Sequence, residues 1–205
     1  MMNYISDILY WISTGLMVPV ILLLIFLFVR SLVLLGGFFG QYQSMRKREA
    51  LLRPLLNKLT PLTVADLASR LPDDATGGTF TYIRDIFAAN GSRARMSHIL
   101  AGAEMKADKD LSLSNTLAKM GPTLGLMGTL IPMGPALVGL ATGDIASMAY
   151  NMQVAFATTV VGLFASAIGF VTKQVKQRWY LREITDLELI VDLLKEADGN
   201  ETTTD

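Results

Sequence analysis

The sequence predicts an all-α membrane protein with three transmembrane helices, the N-terminus outside and the C-terminus inside. Three observations carry this. Residues 8–29, 120–140 and 148–172 contain no Lys, Arg, Asp, Glu or His, and a helix of about 20 apolar residues crosses the roughly 30 Å hydrocarbon core of a bilayer. Apolar residues make up 51% of the 205-residue chain, more than a soluble domain of this size usually carries. All eighteen Lys and Arg fall in two stretches, thirteen in Arg30–Lys119 and five in Lys173–Lys195, and none in the first seven residues or in Ala141–Ser147. Positive charge stays on the cytoplasmic side, which sets the orientation of every span.

The first span, Ile8–Val29, is flanked by Tyr4, Tyr10 and Trp11 at the level where aromatic rings favour the interface. It is longer than the apolar core of a signal peptide and is read as a retained anchor, with a tolerable kink at Pro19. Residues 1–40 therefore hold the first transmembrane helix and its extension.

Residues 41–119 form a helical cytoplasmic segment. Leu51, Leu52, Leu55, Leu56 and Leu59 make an apolar stripe that continues the first helix inward until Pro61 ends it. Thr63 is placed to cap a short helix to Leu71, the run PDDATGGT at 72–79 reads as a loop, and helices follow at about 80–89 and 92–119. The cluster Arg46, Lys47, Arg48 and Arg53 reads first as a topology signal near anionic headgroups, and second as a docking surface.

Residues 120–172 form a transmembrane hairpin with spans 120–140 and 148–172. In the first span Gly121, Gly125, Gly128, Pro132, Pro135 and Gly139 recur every four and three residues, and in the second Ala155, Thr159, Gly162, Ser166 and Gly169 do the same. Such spacing puts each set on one helix face. Lipid tails are as apolar as Leu, so a stripe of small residues serves where another backbone comes close or where the face lines a polar cavity. Gly121, Gly125, Gly128, Pro132, Pro135, Gly162 and Gly169 are expected to pack helices. Thr129, Thr158, Thr159 and Ser166 add hydroxyls; a lone membrane Thr satisfies itself on its own helix, whereas several at one depth can line a pore.

The run GPTLGLMGTLIPMG, a short loop, and then QVAFATTVVGLFASAIGF resemble the MotA, TolQ and ExbB proton-channel family. The likeness covers about 60 residues and includes order, spacing and loop length. Three spans match the TolQ and ExbB arrangement rather than the four of MotA. The resemblance puts Thr129 and Thr159 at the two pore threonines of the family and Thr158 at a position more often Ala. The pair Pro132 and Pro135 departs from it. It also implies a ring of five chains around a dimer of a single-span partner, like ExbD, TolR or MotB, whose membrane Asp carries the ion. The function implied is an ion-conducting subunit, for protons before sodium, of a motor complex in the inner membrane driven by proton or sodium motive force; a structural scaffold without ion flux is the alternative, and a small secondary transporter lacks the inverted repeats it would need.

Residues 173–198 continue as a cytoplasmic amphipathic helix, with Val175, Trp179, Ile184, Leu187, Ile190, Val191 and Leu194 mostly on one side, a face that needs a partner. The polar tail 199–205 is expected to be disordered. There is no cysteine, and His98 stands alone, so no metal site is expected. No glycine-rich phosphate loop, HExxH or paired carboxylate motif occurs, so neither enzymatic activity nor a cofactor is expected. Zero net charge gives no reason to expect nucleic acid; the bilayer is the surrounding partner.

Overall fold

A computed structural model describes residues 2–56, 58–61, 63–64, 67, 78–89 and 91–201. Five helices occur among them: α1 (Met2–Gly15), α2 (Met17–Leu56), α3 (Thr79–Ala88), α4 (Arg93–Thr142) and α5 (Ile145–Glu201). No strand occurs among the described residues. Three helices are long and apolar enough to cross a membrane: Tyr10–Leu56, Arg93–Thr142 and Ile145–Ala197. This is an all-α, multi-pass membrane protein.

The break between α1 and α2 falls at Leu16, three residues before Pro19. The proline has no N–H for the carbonyl of Gly15 and its ring crowds that carbonyl, so the distortion sits one turn upstream. Hydrogen bonding passes through it, since Leu16 N donates to Ile12 O at 3.0 Å and Val20 N to Leu16 O at 3.1 Å. At its other end α2 stops at Leu56 rather than running on to Leu59. The next amides close i−3 turns, Lys58 N to Leu55 O at 3.2 Å and Leu59 N to Leu56 O at 3.1 Å, which tighten the chain out of the α-helix. The Thr63 hydroxyl accepts from the amide of Thr60 at 3.0 Å. Most of the short helix expected at 63–71 and most of the loop at 72–79 lie outside the described residues.

The chain divides into two compact units. The first is Met1–Phe39 with Ser112–Lys173. Its core joins Val20, Leu24, Leu27 and Leu34 of α2, Leu117, Leu124 and Ile131 of α4, and Ile168 of α5. Buried positions repeat with a period of seven: Val20, Leu27 and Leu34 on α2, and Leu117, Leu124 and Ile131 on α4. A seven-residue repeat keeps the seams of neighbouring helices in register, as in a left-handed coiled coil.

The second unit is Gly40–Leu111 with Gln174–Asp205. Leu52 and Leu56 of α2, Phe80, Ile83 and Ile86 of α3, Met96 and Ala103 of α4, and Leu187, Ile190 and Val191 of α5 share one core with Val64 and Leu67. The apolar face of residues 173–198 therefore finds partners within its own chain: Leu187, Ile190 and Val191 are fully buried and Leu194 packs against the cluster. Helix α5 runs to Glu201, so it enters the segment expected to be a disordered tail from Gly199; residues 202–205 lie outside the described ones.

Candidate functional site

The hairpin is closed by two residues between α4 and α5. Gly143 takes φ +77°, a left-handed conformation that suits glycine because it has no Cβ. Asp144 then caps α5, its Oδ1 accepting from the amide of Ser147 at 3.0 Å.

Below this turn the two helices touch through glycine. A Cβ on Gly121 would lie 2.6 Å from the carbonyl oxygen of Gly162; one on Gly162 would lie 2.6 Å from that of Gly121 and 2.9 Å from the Cα of Gly125. At Gly169 it would meet Leu117 Cβ at 2.6 Å and the amide of Ala118 at 2.7 Å, and at Gly128 the Cβ and Oγ1 of Thr158, both at 2.6 Å. No side chain fits at such distances, so backbone packs on backbone, the geometry that small residues permit between membrane helices. Pro132 is fully buried and Pro135 half-buried in the same helix. The glycines lie between two helices of one chain.

The hydroxyls separate into two kinds. Ser166 donates to the carbonyl of Ala118 on the facing helix at 3.0 Å. Pro122 stands four residues after Ala118 and has no N–H to give that carbonyl, so Ser166 replaces a missing helix hydrogen bond. Thr158 is 8% exposed, packs on Gly128, and donates to the carbonyls of Val154 at 3.0 Å and Ala155 at 2.9 Å. Both residues were expected to line a pore. Within the chain one hydroxyl serves a proline's orphaned carbonyl and the other packs against a glycine.

Thr129 and Thr159 are half-buried. Thr129 donates to Leu126 O at 2.7 Å and Thr159 to Ala155 O at 3.1 Å. Gly125 faces the Cα of Thr159 at the distance of an ordinary contact, 3.6 Å from its would-be Cβ, and Thr129 follows Gly125 by one turn. Each hydroxyl has its proton on its own helix and its lone pairs available, so each presents an acceptor. The hairpin spans themselves contain no Lys, Arg, Asp, Glu or His.

Polar pairs missed in the sequence bind α4 to α5 at the end of this unit. Thr172, 1% exposed, donates to Ile168 O at 2.7 Å and lies 3.4 Å from Ser114 Oγ; Lys173 Nζ reaches Asn115 Oδ1 at 2.9 Å. Ser114 and Asn115 lie seven residues, two helical turns, before Gly121 and Pro122, and that spacing was the available signal. In the second unit Tyr180 donates to Asp110 at 2.9 Å. Burial raises the Tyr180 hydroxyl pKa, and its hydrogen bond to Asp110 adds to this. Burial lowers the Lys176 ammonium pKa, opposed by the charge of Asp110. Among the described residues no three His, Asp or Glu side chains gather as metal ligands.

Residues 83–189, just over half of the 205, match the model of the MotA/TolQ/ExbB proton channel family. The match takes in the hairpin and reaches back through α3 and α4, well before the residues that carried the resemblance. No individual curated protein matches the chain significantly.

Proposed function

This chain belongs to the MotA/TolQ/ExbB proton channel family, and from that premise we propose that it is the ion-conducting subunit, for protons, of an inner-membrane motor complex. The observation that carries the reading is the pair Thr129 and Thr159: of the four hydroxyl residues singled out in the hairpin, these two are half-buried and donate only to their own helices, one on each helix, in spans without a charge.

A chain with no Asp, Glu, His, Lys or Arg in these spans has no side chain there that exchanges a proton near neutral pH. The carboxylate comes from a single-span partner resembling ExbD, TolR or MotB. A protonated carboxyl is a donor, and the lone pairs of Thr129 and Thr159 accept it; an ionised carboxylate needs a donor, which either hydroxyl supplies by rotating off its backbone carbonyl. The two threonines thus serve both protonation states at the cost of one weak intrahelical bond. Five copies around a partner dimer would repeat this pair around the ring. Each elementary charge crossing 100 mV releases about 2.3 kcal/mol, enough to move the partner when a few ions pass.

The scaffold alternative drew on the same glycine stripes, and those are occupied by the intrachain contact of α4 with α5. The test is proton uptake by liposomes holding the chain with its partner, under an imposed potential. Uptake only when both are present is expected; no uptake above empty liposomes would favour the scaffold.

A further inference from the structure

A cavity of about 360 Å³ lies in the second unit, within the size range of small-molecule sites, roughly 300–1,000 Å³. Its charged walls are Arg48 of α2, Lys106 and Asp110 of α4, and Glu183 of α5. Two cations and two anions share one space, yet among the described residues the hydrogen-bond and ring partners of each are neutral. Arg48 donates to Ser44 Oγ at 3.1 Å, and Lys106 Nζ sits 5.7 Å from the centre of the Tyr82 ring. Asp110 accepts from Tyr180 at 2.9 Å, and Glu183 from Thr79 at 2.7 Å. Among the described residues the close ion pairs of this unit are Arg182 with Glu49 and Lys195 with Asp192, and they involve none of the four.

We propose that this cavity binds a phosphodiester carrying a primary ammonium, the headgroup chemistry of an aminophospholipid. Arg48 and Lys106 take the phosphate from two helices, with Ser44 and Gln41 in the same wall able to donate to its oxygens. Asp110 and Glu183 take the ammonium, whose three N–H groups suit carboxylates already capped on one side. The charge balance selects among phosphates: a dianionic monoester would leave the site net negative beside two carboxylates, whereas a zwitterionic diester leaves it neutral.

The source is the bilayer. Gly40–Arg48 lies on α2, the same helix that carries most of the first span, and begins eleven residues after Val29; its side chains have an interfacial character: Arg46 lies 5.2 Å over the Tyr42 ring, which meets Trp179 at 5.6 Å. The basic cluster read from the sequence is thus divided, with Arg48 in the cavity wall and Lys47 exposed outside it. The inference stands independently of the conduction reading.

The experiment is native mass spectrometry of the purified full chain in detergent, titrated with phosphatidylethanolamine, phosphatidylcholine and phosphatidylglycerol of the same acyl chains. Phosphatidylethanolamine should bind about tenfold tighter than either of the others, because choline has no N–H and glycerol no charge. Lys106→Gln, at an exposed side chain, and Arg48→Gln should weaken all three lipids. Asp110→Asn, which keeps an acceptor for Tyr180, should remove only the preference for ethanolamine. Lys47→Gln removes the same charge outside the cavity and should change nothing. Competition by soluble glycerophosphoethanolamine at equal concentration would keep the site but assign it to a soluble diester. Equal binding of the three lipids, or equal loss with Lys47→Gln and Lys106→Gln, would overturn the proposal.

Discussion

Thr158 and Thr159 are neighbours in sequence with opposite positions in the packing. Read from Ala155, small or hydroxyl residues fit steps of four and three through Thr159 and Ser166, and equally steps of three and four through Thr158, Ala165 and Thr172. The two registers share Ala155, Gly162 and Gly169, so spacing alone does not choose between them. The structure buries Ala155, Thr158, Gly162, Ala165, Gly169 and Thr172, because the seven-residue seam of α5 must meet that of α4. The glycine positions were therefore legible in the sequence, while the face carried by each hydroxyl was not. Thr158→Ala should cost about 1 kcal/mol of stability, for a lost methyl and a self-satisfied hydroxyl, and should leave proton flux intact; thermal unfolding and flux measured on one preparation check both. Ser166→Ala differs, because it strips the donor from the carbonyl that Pro122 orphans. A buried acceptor left bare costs about 1–3 kcal/mol, and Ser166→Ala with Pro122→Ala should recover much of that loss by restoring the helix N–H.

At the scale of elements, α3 and α4 begin within a residue of where periodicity and the Gly91–Ser92 boundary put them, because each starts after a conformation its residues favour: Gly78 and Gly91 take φ +60° and +73°. The ends of α2 were less legible. One is displaced upstream from Pro19 by the carbonyl that proline crowds, and the other is set by i−3 bonds that leave no pattern in composition. Contacts distant in sequence were legible only as needs: the apolar face after residue 173 called for a partner, and its own chain supplies it through α2, α3 and α4. The glycine seam gives the sharpest test at this scale. Gly162→Leu forces a side chain into the backbone of Gly121 and Gly125. Overpacking costs 1–3 kcal/mol or so where neighbours yield, and backbone yields less than side chains, so the hairpin should open and the protein lose its folded protomer. Leu137→Ile, on an exposed position, should leave melting unchanged. Normal melting of Gly162→Leu would contradict the seam.

For the molecule as a whole, charge placement fixes what the chain must do in a bilayer: three spans, with the turn at Gly143–Asp144 on the side opposite the basic segments. A cysteine introduced at Ser147 should react with an impermeant thiol reagent from outside intact cells, and one at Ser92 should not. The reverse pattern would invert the topology and with it the direction of ion flow. The central claim is that the chain conducts through Thr129 and Thr159. It is tested most directly by proton uptake at fixed membrane potential into liposomes holding the single-span partner and the double variant Thr129→Val, Thr159→Val. Valine keeps the shape of threonine and removes its hydrogen bonding, so the assembly should form as in the wild type and its flux should fall to the level of liposomes without the chain, with Thr159→Ser alone retaining part of it. Wild-type flux from the double variant would contradict the account.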